Sequence, residues 1–158
     1  MTKSDFIRYI EATQEWLRRF LASLCCGDMM LVDDIAQETY LKAYLSIESC
    51  RDERKLKGWM LKIAYNTFLN HTRSRHLFRE INECETIASD LNTDNAFNYE
   101  NLYQALGALP PKERGAVVLF YLEGYSSKEI AALMETTDAN VRQMLSRGRV
   151  HLKVLLKK

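Results

Sequence analysis

Apolar residues return every three or four places through the first part of the chain: Phe6, Ile7, Ile10, Leu17, Phe20, Leu21 and Leu24. That spacing lines one face of a long helix, which Gly27-Asp28 ends. A second helix is predicted from Leu31 to Ile47, with Ile35, Ala36, Ala43 and Ile47 on its apolar side. Arg51 to Lys57 is polar and reads as a loop. A third helix is predicted from Leu56 to His76, with Trp59, Met60, Ile63, Ala64 and Thr67 turned inward. From Glu80 to Asn98 the periodicity fades into Asn, Asp, Thr and Glu, the composition of a tether. Fully extended at ~3.3–3.6 Å per residue, such a tether reaches roughly 63–68 Å.

Order returns near Tyr99. Leu102, Leu106 and Leu109 mark one helix, and Pro110-Pro111 open another that is predicted to run to Leu122. Ser126 and Glu129 have the spacing of a capping box before a short helix, Ser127 to Met134. Glu135-Thr136-Thr137 reads as a turn, with Thr137 capping a last helix from Asp138 to Leu156. No strand and no short repeat is predicted. The fold class is therefore all-α. Two small helical domains, residues 1–79 and 99–158, are joined by an acidic linker over residues 80–98.

The closing helix–turn–helix bears on function. At 100° per residue, Val141, Leu145, Gly148 and Leu152 share one stripe of the last helix, suited to pack on Ile130, Ala131 and Met134. Arg142, Gln143, Ser146, Arg149 and Lys153 point elsewhere, with Arg147 on the flank. Guanidinium and amide groups read base edges and grip phosphates. A charge stripe alone fits any solvated helix. The short helix, the tight turn, the capping box and the acid-free second helix together favour a DNA-binding unit.

Net charge is only +1 over 158 residues, but the average hides segregation. Arg51 to Arg79 holds eight cations and two acids, Ala139 to Lys158 six cations and no acid, and Glu80 to Glu100 six acids and no cation. Local fields of this kind steer a polyanion whatever the total. No apolar run is long enough to span a bilayer, which takes about 20 residues, and the N-terminus lacks a secretory pattern. A cytoplasmic location without membrane insertion is expected. Cys25, Cys26, Cys50 and Cys84 form no C-x-x-C pair, and His71, His76 and His151 have no ligand spacing. No metal and no cofactor is expected.

Two stretches of the first domain complete the picture: Asp33-Asp34-Ile35-Ala36-Gln37-Glu38-Thr39-Tyr40-Leu41-Lys42-Ala43-Tyr44, and Trp59-Met60-Leu61-Lys62-Ile63-Ala64-Tyr65-Asn66-Thr67. With the L-x-x-L-P-P-K-E-R and G-Y-S-S-K-E-I-A runs of the second domain, they resemble the bacterial sigma factors of the extracytoplasmic-function (ECF) group over almost the whole chain. The resemblance implies that residues 1–79 correspond to sigma region two and residues 99–158 to region four. It implies a non-enzymatic factor that binds core RNA polymerase, through its β′ and β subunits, and directs initiation at a promoter set.

By the same resemblance, Asp34, Gln37, Glu38 and Leu41 face the polymerase clamp, where acids meet arginines. Lys55 and Lys57 hold the opened non-template strand. Asn66 and Asn70 meet a flipped minus-ten base, since an amide both donates and accepts. Lys62, Arg73 and Arg75 grip backbone phosphates. Arg142, Gln143, Ser146 and Arg147 read the minus-thirty-five element, and Arg149 takes a phosphate. An anti-sigma partner covering these surfaces is also implied.

Three positions depart from the family pattern. Met144 stands where a cation is frequent, Gly148 where Ala is common, and Glu135 where a turn favours Gly. A classical operator-binding regulator is the first rival, but it leaves Asp34 to Tyr44 and the tether unexplained. A regulator that binds polymerase without reading DNA leaves the Arg142, Gln143 and Ser146 stripe idle. A nuclease built on Asp33, Asp34 and Glu38 would need three acids that spread too widely around a helix to share one metal.

Overall fold

The computed structural model describes residues 2–50, 52–82 and 96–156, with the backbone alone for residues 75–82 and 96–100. Cys84, the side chains of Arg75 and His76 and most of the predicted tether lie outside the described residues. Seven α-helices make up the described chain, with no strand among them.

Helix α1 spans Lys3–Leu24. The Thr2 hydroxyl accepts the Asp5 N–H at 3.1 Å and the Asp5 carboxylate accepts the Thr2 N–H, so the first turn is capped reciprocally. Phe6, Leu17, Phe20, Leu21 and Leu24 are buried on one face as the spacing predicted. Ile7 is not among them: it lies one step off the stripe and is 47% exposed. The helix ends at Cys26 and Gly27, both at positive φ, where the Gly27 N–H reaches back to the Ala22 carbonyl at 2.9 Å.

Asp28 caps helix α2, Met29–Leu45, by accepting the Leu31 N–H. The helix is shifted two residues earlier than predicted, and Ile47 is buried instead from a short 3-10 turn, Ile47–Ser49. Helix α3, Leu56–Asn82, follows a second 3-10 turn, Glu53–Lys55. It continues past Arg79, the expected end of the first domain. Met60, Ala64 and Thr67 face inward as predicted, while Trp59 and Ile63 are only half-buried. Leu61, Tyr65 and Phe68 are buried in their place, because α3 is packed on two sides: by α2 on one and by the C-terminal helices on the other.

Helix α4 covers Ala96–Gly107, beginning within the stretch read as linker. Helix α5, Pro111–Val117, starts on its proline as predicted, but does not continue as α-helix to Leu122. Val118–Leu122 forms a π-helical turn in which the Glu123 N–H bonds Val118 O at 3.2 Å. Gly124, at φ +77°, then redirects the chain into helix α6, Ser127–Met134. The Ser126–Glu129 capping box is present in both directions, at 3.2 and 3.1 Å. Thr137 caps helix α7, Asp138–Leu156, by accepting the Asn140 N–H at 3.1 Å.

Val141, Leu145 and Gly148 of α7 are buried, with Leu152 packed against the core. Met144 is buried too, which explains an apolar side chain where a cation was expected. Gly148 also has a steric reason: a Cβ there would stand 2.6 Å from Val117 Cγ2.

The two helical units do not stand apart. Their buried side chains form one continuous cluster running from Phe6 to Leu145. Helices α5 and α6 pack on α3, and the π-helical turn packs on α1.

Candidate nucleic-acid and polymerase interface

Helix α7 lies with its apolar stripe against α5 and α6, which leaves Arg142, Gln143, Ser146, Arg147 and Lys153 exposed. Arg142 is 3.5 Å from Asp138 one turn earlier, yet its side chain stays 67% exposed and available. Arg149, expected on a phosphate, is exposed as well. Its guanidinium donates to the Tyr121 hydroxyl at 3.1 Å and borders an apolar groove with Leu102 and Leu152.

On α2, Asp34, Gln37 and Leu41 are exposed on one side, and Met30 and Leu45 extend that side at either end. Glu38 leans toward α3 instead. Its carboxylate is 2.7 Å from His71 Nε2 and 3.5 Å from Lys42 Nζ. The hydrogen bond to His71 holds this carboxyl below its ordinary value, with Lys42 adding to the effect against some burial. Asp33 is tied to Arg18 of α1 at 2.5 Å. The three acids Asp33, Asp34 and Glu38 thus serve α1, solvent and α3 in turn. Among the described residues no group of three His, Cys, Asp or Glu side chains is placed to hold a metal.

On α3 and the turn before it, Lys55, Asn66, Asn70 and Arg73 are exposed. Lys57 and Lys62 are engaged. Lys57 Nζ sits 5.2 Å above the Trp16 ring and 3.5 Å from Glu123. Lys62 Nζ is 2.7 Å from Glu135, the carboxylate of which it holds below its ordinary value. Glu123, Glu135, His71 and Arg114 did not emerge from the sequence as site residues. The signals for them were Arg114 at the close of the L-x-x-L-P-P-K-E-R run and Glu135 in a turn that favours glycine. It does occupy the left-handed region, at φ 56° and ψ 48°.

A three-helix unit carrying amides and cations on one helix, docked to a helix–turn–helix unit with an exposed base-reading stripe, defines a DNA-binding protein of sigma architecture. The sigma-70 region 2 family matches residues 9–77, and the sigma-70 region 4 family matches residues 99–152. The chain belongs to the ECF sigma factors of RNA polymerase and is a promoter-specificity factor for transcription initiation. It is 32% identical to the ECF RNA polymerase sigma factor SigM of Bacillus subtilis, over 87% of this chain and 86% of that protein. It is 27% identical to the ECF RNA polymerase sigma-E factor of Escherichia coli K12, over 90% of this chain and 80% of that one. The fold is similar to that of the sigma factor RpoE of Bartonella quintana, solved in complex with the anti-sigma factor NepR. The TM-score is 0.81 and the identity 26%, over 97% of both chains. CnrH, solved with the cytosolic domain of CnrY, has the same fold at a TM-score of 0.72 and 21% identity, over 99% of this chain and 90% of that one. Among the described residues no helix is long and apolar enough to cross a membrane.

Proposed function

We propose that the chain works as a two-surface adaptor in the cytoplasm, with residues 1–79 acting as region two, residues 99–158 as region four and residues 80–98 as the connector. The exposed side of α2, with Asp34, Gln37 and Leu41, docks on the clamp helices of core polymerase. Met30 and Leu45 extend that contact with apolar area. Glu38 supports the docking by fixing α2 on α3 through His71.

Asn66 and Asn70 then take flipped bases of the non-template strand. Lys55, Lys57, Lys62, Arg73 and Arg75 hold its phosphates. Captured bases shift the melting equilibrium by mass action, so no bond is made or broken by the protein itself. Arg142, Gln143, Ser146 and Arg147 read the upstream element in the major groove.

The observation that carries this reading is the division of α7. Four apolar positions are locked in the core while the base-reading side chains stay exposed on the opposite side. An anti-sigma protein is the expected antagonist, since the Bartonella RpoE relative was solved with one. The reading is tested by run-off transcription with purified core polymerase on a genomic fragment library, with start sites sequenced. Discrete new start sites are expected. Unchanged initiation, with tight duplex binding by the protein alone, would refute it.

A further inference from the structure

Helices α2 and α3 meet through a small polar lattice as well as through apolar side chains. Glu38 and Lys42 stand one turn apart on α2, 3.5 Å from each other. Thr67 and His71 stand one turn apart on α3. The pairing across the two helices is crossed: Lys42 Nζ donates to Thr67 Oγ1 at 3.2 Å, and His71 Nε2 lies 2.7 Å from Glu38 Oε2. An ionised carboxylate only accepts, so Nε2 carries the hydrogen of this contact. The Thr67 hydroxyl donates to Ile63 O at 2.8 Å, which leaves its lone pairs to Lys42.

The lattice adjoins the residues read above as base-capturing. At about 100° per residue, Lys62, Asn66, Asn70 and Arg73 fall on one stripe of α3, and Asn66, Asn70 and Arg73 are exposed. Thr67 and His71 occupy the next stripe round, and each directly follows one of the two asparagines. On α2, Gln37 and Leu41 directly precede Glu38 and Lys42. The four gripping side chains are thus flanked by the docking side of α2 and by the amide row of α3.

Base reading is demanding in geometry. An amide hydrogen bond works over about 2.7–3.2 Å and weakens steeply with angle. A roll of the helix by about 10° moves a side-chain tip roughly 5–6 Å from the axis by about 1 Å. Apolar packing is non-directional and resists such a roll poorly. Two polar contacts on successive turns resist it well, because each has a preferred direction.

Resting on the sigma reading above, we propose that Glu38, Lys42, Thr67 and His71 are positioning residues for base capture: they fix the roll of α3 so that Asn66 and Asn70 meet the flipped bases. The Glu38–His71 contact sets Asn70, and the Lys42–Thr67 contact sets Asn66. His71 acts through Asn70 and reads no base itself.

The test uses core polymerase saturated with the full chain, so that docking strength drops out. The template is a promoter found by run-off transcription, with its minus-ten element pre-melted and each unpaired base changed in turn. Discrimination is the ratio of transcription with the preferred base to that with its substitutes. Thermal melts set the assay temperature below the transition of each variant. Asn70→Ala is expected to abolish discrimination at one base. His71→Leu is expected to cut it five-fold or more at that same base, and to cost nothing further when added to Asn70→Ala. His71→Gln, which keeps a donor for Glu38, should stay within two-fold of wild type. Thr67→Val, near-isosteric, is expected to cut discrimination two-fold or more at the base met by Asn66, and it carries the test if His71→Leu does not fold. Wild-type discrimination in His71→Leu or in Thr67→Val, or His71→Gln as impaired as His71→Leu, overturns the positioning role and leaves the sigma reading standing. Wild-type protein that directs no start site takes both away together.

Discussion

The Glu38 carboxylate lies 2.7 Å from Nε2 of His71, joining the middle of α2 to α3 across 33 residues of sequence. The pair makes Glu38 as much a structural residue as a docking one. Because its folded value lies below the ordinary 4.5, its stabilising contribution is present above that pH and fades as pH falls through the folded value. Glu38→Gln is therefore expected to lose at most about 1 kcal/mol at neutral pH, since the group is half-exposed. The gap from wild type should close in acid below pH 4.5. Urea denaturation at a series of pH values measures it, and a gap that persists in acid would show that the ion pair is not its source.

Polymerase docking is better probed at Leu41 than at Glu38. Leu41 is 59% exposed and shares its side of α2 with Asp34 and Gln37, so a change there leaves the core intact. Leu41→Asp is expected to cut co-purification with core polymerase at least ten-fold while the helical circular dichroism stays unchanged. Full recovery of the complex would exclude this face. Glu38→Arg would place a cation between His71 and Lys42, and so would confuse docking with folding.

Arg147 is exposed on α7, where its guanidinium can reach a base edge. Arg147→Ala is expected to lose about 1–3 kcal/mol of discrimination at a single base pair of the upstream element. A randomised promoter library scored by transcription resolves this. Uniform weakening at every sequence would reassign the residue to phosphate.

Gly148→Ala sets two effects against each other. Alanine favours the helix by about 1 kcal/mol. Its Cβ would stand 2.6 Å from Val117 Cγ2, at a buried position in the α5–α7 contact, and overpacking of that kind costs about 1–3 kcal/mol. The packing term is expected to win, so that the melting temperature drops. A rise would mean that Val117 turns aside at little cost.

Much of this was legible beforehand because it is local. The capping box at Ser126 and Glu129 depends on residues three apart. The buried face of α1 depends on a spacing of three and four. The exposed stripe of α7 follows from the same arithmetic. Errors arose where distant parts of the chain compete for one side chain. Trp59 was expected inward but is half-buried, while Tyr65 is buried because Gly115, fifty residues on, comes against its ring. The hydrogen bond from Arg149 to Tyr121, twenty-eight residues earlier, likewise joins side chains that no local pattern pairs.

The amino-acid order by itself determined most of the helices, the caps at Ser126 and Thr137, the division into region two and region four and the family, since periodicity and short motifs are written in neighbouring residues. Only the tertiary structure decided that the two units share one core, that Glu38 belongs to His71, and that Lys57 and Lys62 face carboxylates of region four. Those relationships depend on shape and burial summed over residues far apart in the chain, which no local pattern encodes.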